Sequence, residues 1–291
     1  MHDDQPRDDL MHDDAERLVQ PRQSSGGKGA RTAGGFLVAL GALALKFKAV
    51  LLGFSSLKWL VFAPKLAISF GSMFISIYFY ALFFGWKFGI VLVAMLAVHE
   101  FGHYVTFRNL GIRASLPTFI PGFGAFVSSP MSADPAQNAF AAIMGPVFGI
   151  AAAAICWGFG LSNGENFWIA AAYFGFFINL INLIPALPLD GGRVAGAIDG
   201  RVWLIGAVLV VALLVVWQPR SIFTWVIVIL VLMSSVPRGI AAFRGHVDPT
   251  VQIVSGRQRA ILAVAYFALL GIAGLCAAAT KLDPSQLSLH A

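Results

Sequence analysis

Apolar positions run in long unbroken blocks, not in the alternation that marks half-buried strands or one-sided helices. A membrane-spanning helix needs about 20 apolar residues. Blocks of that kind predict helices over 66–84, 87–107, 138–160, 166–187 and 259–280. Residues 202–236 hold two 16-residue apolar runs around Gln218-Pro219-Arg220, which predicts a tight hairpin of short spans. Lys46, Lys48 and Lys58 interrupt 34–62, so an interfacial helix is expected there. Residues 114–131 are apolar but broken by Pro117, Pro121 and Pro130, with turn-forming Gly122 and Gly124. The strand formers Phe119, Ile120, Phe126 and Val127 flank the Pro-Gly-Phe-Gly turn, so a membrane-dipping β-hairpin is expected. The expected fold is an all-α multispan membrane protein with about six to seven transmembrane helices and this one re-entrant hairpin.

Composition supports that reading. Of 291 residues 58% are hydrophobic and 12% charged, against about 25% charged in ordinary soluble domains. So little charge cannot cover a water-facing surface, which excludes a soluble domain, a disordered chain and a disulfide scaffold. Cys156 and Cys276 lie in apolar runs and imply no framework of either disulfides or zinc knuckles. Seven of the 14 acids fall in the first 16 residues, so 1–33 reads as a disordered polar tail without a cleavable signal. The expected organisation is that tail, the 34–62 segment, a core over 63–245, and a loop, last helix and short tail over 246–291.

The cations set the orientation. With the tail cytoplasmic and 66–84 running outward, 17 of the 20 Lys and Arg fall on the cytoplasmic side, leaving Lys87, Arg220 and Lys281 outside. The scattered cations border apolar runs, so nucleic acid is not an expected partner; the lipid bilayer is. A cell (plasma or inner) membrane is the expected location.

Ionisable residues inside a span point to function. Here they are His99, Glu100 and His103, in the string HEFGH within 87–107. Positions i and i+4 share a helix face, so both imidazoles can grip one metal ion, with zinc the usual occupant. Glu100, one residue round, can reach an attacking water as general base. A third ligand must come from elsewhere. Glu165 sits in a short outer loop, Asp134 reads as a helix cap and Asp199 as a solvated turn. Asp190 follows span 166–187 at the same face as His103, in NLIPALPLDGG, where prolines end the helix and Gly191-Gly192 permit a tight turn.

The two motifs together resemble the site-2 protease family of intramembrane zinc metalloproteases, which pairs HExxH with NxxPxxPLDG on a later helix. Both are matched without substitution, at 99–103 and 182–192. The resemblance implies one zinc ion on His99, His103 and Asp190, with Glu100 activating water. It also implies Asn182 near the reacting carbonyl, for substrate positioning or oxyanion stabilisation. A helix–helix hydrogen bond is the alternative role for Asn182, and the role expected of Asn179. The 114–131 segment is similar to the family's membrane-dipping strands. Gly145 and Gly149, in MGPVFG, resemble its Gly-Pro helix and read as close packing. The loop 161–165 and the tail 281–291 are too short for the PDZ domain of many relatives, which points to a compact branch of the family. The implied partner is a transmembrane protein substrate cut near the cytoplasmic face, with any adaptor unidentified. Two other readings stay open: a zincin with Glu165 as third ligand, and a non-catalytic membrane protein or divalent-metal transporter of the same fold.

Overall fold

A computed structural model describes residues 57–130, 134–217, 221–246 and 253–282. Ala63–Ala291 forms one compact unit. The element order is α1 Leu57–Phe84, α2 Trp86–Asn109, β1 Thr118–Ile120, β2 Gly124–Phe126, α3 Pro135–Asn163, α4 Asn166–Asn182, α5 Asp190–Ile198, α6 Val202–Trp217, α7 Ile222–Phe243 and α8 Gly256–Ala279. Five of these helices are long and apolar enough to cross a membrane, and α4 and α6 are shorter apolar helices. The fold is thus that of an all-α multispan membrane protein carrying one small two-stranded sheet. The expected tail over 1–33 and most of 34–62 lie outside the described residues; Leu57 onward already belongs to α1.

α3 is the hub, packing against α2, α4, α5 and α8. A buried strip of small residues, Ala139, Ala142, Gly145, Gly149 and Ala153, makes that possible. Without bulky side chains between them, neighbouring backbones come close enough for van der Waals packing to hold the bundle, where lipid offers no hydrophobic drive. Asp134 caps this helix as expected, its carboxylate accepting from Ala136 N–H (2.8 Å). α6 and α7 pair as the expected hairpin.

The expected 166–187 helix stops at Asn182, five residues early. Pro185 and Pro188 cannot donate backbone hydrogen bonds, so the chain turns through Leu183–Leu189. A second difference follows. Gly191 and Gly192 do not make a turn: they lie in the short helix α5, with no left-handed φ. A Cβ on Gly191 would overlap the Leu183 carbonyl, and one on Gly192 the Ala186 backbone. The glycines let α5 press against the loop that precedes it.

The 114–131 hairpin is present. β1 and β2 are antiparallel, with Thr118 opposite Phe126, Phe119 opposite Ala125 and Ile120 opposite Gly124. Gly122 (φ 81°) and Gly124 (φ 104°) supply the left-handed backbone of the turn. α1 covers one edge: Ser69 Oγ donates to Pro117 O (2.5 Å), and Phe119 N–H donates to Ser72 Oγ (3.1 Å). Because Phe119 N–H points away from β2, Phe119 and Ala125 form a pair without ladder bonds. The backbone N–H and C=O of Ala125 therefore face the outer edge of β2. β2 is the strand that lies against α2.

Candidate metal centre

His99, Glu100 and His103 all lie on α2 and are buried. Asp190, the first residue of α5, is 9% exposed and closes the cluster. His99 Nε2 is 3.2 Å from His103 Nε2. Asp190 Oδ2 is 3.1 Å from His99 Nε2 and 3.2 Å from His103 Nε2. Three ligand atoms thus form a nearly equilateral triangle. Ligands about 2.0–2.1 Å from a tetrahedral zinc ion stand about 3.3–3.4 Å apart, so the triangle is close to that size.

Hydrogen bonds at the far side of each ring fix what the triangle contains. Asn179 Nδ2 donates to Gly175 O (2.7 Å), which leaves Asn179 Oδ1 as the acceptor facing His99 Nδ1 (2.8 Å). His103 Nδ1 faces the Ala141 carbonyl (2.8 Å), which can only accept. Both Nδ1 atoms therefore carry the proton, and both Nε2 lone pairs point inward. Two lone pairs and an anion converge with no donor among them. A shared proton could satisfy one edge of such a triangle; a metal ion satisfies all three. The donor set, two imidazoles and one carboxylate, suits zinc.

Glu100 also brings a carboxylate oxygen within 4.8 Å of both histidines, and so is a rival third ligand. Asp190 is much nearer to both Nε2 atoms, which leaves Glu100 free for other work. Glu165, the other rival, is exposed at the start of α4. It stands 14 residues before Asn179 on that helix, or about 20 Å at 1.5 Å per residue.

Three residues do more than their sequence context indicates. Asn179 does make the helix–helix hydrogen bond expected of it, but its partner is a ring of the cluster. Gly145 and Gly149 do more than pack helices. A Cβ on Gly145 would overlap the His103 ring, and one on Gly149 the Asn179 amide. Both glycines open the space in which a cluster residue or its support sits. Asn182 ends α4, half-buried, and among the described residues no hydrogen bond joins it to the cluster.

The loop before Asp190 is pinned from α7. The fully buried Ser235 accepts from Leu187 N–H (2.8 Å) and donates to Leu187 O (3.3 Å). Trp203 Nε1 donates to Gly192 O (2.7 Å), and Tyr266 on α8 donates to Leu183 O. These three side chains hold the backbone on either side of Asp190. None of the three belongs to either motif. Their only sequence signal is a polar atom in or beside an apolar run, where it must find a partner.

Residues 87–165 match the model of Peptidase family M50, the family of the site-2 proteases. The matched stretch carries the HEFGH helix and the glycines of α3, and ends before Asn182 and Asp190. No curated protein matches the chain. The match supports a site-2-protease-like membrane metallopeptidase, and the five long apolar helices make the protein multi-pass.

Proposed function

We propose that this protein is an intramembrane zinc endopeptidase that cuts transmembrane segments near the cytoplasmic face of a cell membrane. The observation that carries the proposal is the convergence of three acceptor atoms, from His99, His103 and Asp190, inside a helical bundle. Those three residues would hold one zinc ion. When bound, the ion supplies a Lewis acid and lowers the pKa of an attacking water. Glu100, buried beside the histidines, takes the proton from that water and returns it to the leaving amine. Asn182, at the end of α4, orients the scissile carbonyl or steadies its developing negative charge.

A helical substrate hides its peptide bonds and must be unwound to be cut. The outer edge of β2, with the Ala125 backbone groups facing out, can hold such a segment as an added strand. A transporter would need ionisable groups along a path; the membrane-embedded ones described here, with Asp190, form one cluster at one depth. The test compares membrane peptides, by mass spectrometry, from cells with the intact enzyme and with Glu100→Gln. Loss of a general base costs about 10²–10⁴ in rate, so intramembrane cleavage products should disappear in the variant. Their persistence would refute the mechanism.

A further inference from the structure

A cleft of about 270 Å³ opens beside the cluster, lined by Phe107, Phe126, Val127, Ser128, Ser129, Asn138 and Arg193. Its placement ties it to the cut. Phe107 is one helical turn beyond His103 on α2, and Arg193 is three residues beyond Asp190 on α5. Residues 126–129 continue β2, whose outer edge pairs with no other strand among the described residues. The same residues line the cleft, so a peptide added along β2 would pass it. Among the described residues Arg193 is the one charged residue in the lining, and it is exposed there. No carboxylate forms an ion pair with it among the described residues.

Resting on the endopeptidase reading, we propose that this cleft is a substrate subsite that takes an acidic side chain of the peptide being cut, with Arg193 supplying the matching charge. Four residues of helix rise about 6 Å and an extended residue spans about 3.3 Å. The acidic residue therefore falls about two or three residues from the scissile bond. An exposed ion pair is a modest one, so the preference for Asp or Glu over a neutral residue should be about three- to fivefold.

The test uses the purified full chain in phosphatidylcholine vesicles. Its substrates are a synthetic library of transmembrane peptides, randomised around the lipid boundary and read by mass spectrometry. The wild type should enrich Asp and Glu at one such position, and Arg193→Lys should keep that preference. Arg193→Gln should lose it, and Arg193→Glu should replace it with Lys and Arg. One preference shared by all four forms would overturn the subsite while leaving the protease reading intact. Absence of any cleavage that Glu100→Gln abolishes would overturn both. Repeating the assay with anionic phosphatidylglycerol separates a lipid phosphate in the cleft from a peptide carboxylate. If Arg193→Gln removes a dependence on anionic lipid and leaves residue preference unchanged, the cleft belongs to the lipid and the proposal falls.

Discussion

At the residue scale, the cluster depends on atoms that never touch a metal. Asn179 accepts from His99 Nδ1 and is itself oriented by Gly175 O. Removing such a partner from a metal-bound histidine typically costs about 10–100-fold in metal affinity. Asn179→Ala should weaken zinc by that amount in a chelator competition, whereas Asn179→Asp keeps an acceptor and should lose far less. Equal affinities for the two variants would remove the orienting role. Gly145→Ala places a methyl group where the His103 ring lies, so this small change should empty the site in the same assay. Full zinc binding by that variant would mean that α3 can move aside. The sequence showed HEFGH and Asp190 plainly, because charge is so rare in this chain that the exceptions stand out. It did not show what Asn179 touches, because an asparagine in a span has the same signature whether it meets a backbone or a ligand.

At the scale of elements, the chain around Asp190 is held by helices distant in sequence. Ser235 on α7 binds both backbone groups of Leu187. Ser235→Ala would leave the half-buried Leu187 N–H without its partner, at about 1 kcal/mol. A lower midpoint for thermal unfolding in detergent is expected, together with weaker zinc binding. An unchanged midpoint and unchanged metal affinity would show that the loop holds itself. α5 was hidden in the sequence by its glycines, which are poor helix formers and read as a turn. They are used instead for close approach to Leu183 and Ala186. The hairpin over 114–131 was legible for the opposite reason: prolines, glycines and strand formers in a fixed order allow few other shapes. α4 fell short of its apolar run because hydropathy does not register that proline stops a helix while remaining in the membrane.

At the scale of the whole molecule, the long apolar helices follow from composition almost alone, and α3 at the hub follows from its strip of small residues. Orientation rests on the cations. Arg108, Arg113, Arg193, Arg201 and Arg244 lie at or beyond the ends of spanning helices that the proposal makes cytoplasmic, Arg238 lies five residues inside such an end of α7, and Lys87 and Lys281 lie at or beyond opposite ends. In a variant with Cys156 and Cys276 replaced by Ala, single cysteines report the faces. Asp199→Cys should react with a membrane-impermeant maleimide from the cytoplasmic side, and Ser162→Cys from the other. The reverse pattern would invert the proposed topology and place the cut at the outer face.

The central claim is that His99, His103 and Asp190 hold one metal ion that Glu100 does not bind. Metal content by inductively coupled plasma mass spectrometry of the purified full chain tests it most directly. The account predicts about one zinc per chain in the wild type and in Glu100→Gln, and almost none in His99→Ala, His103→Ala or Asp190→Ala. A full equivalent of zinc in Asp190→Ala, or its loss in Glu100→Gln, would contradict it.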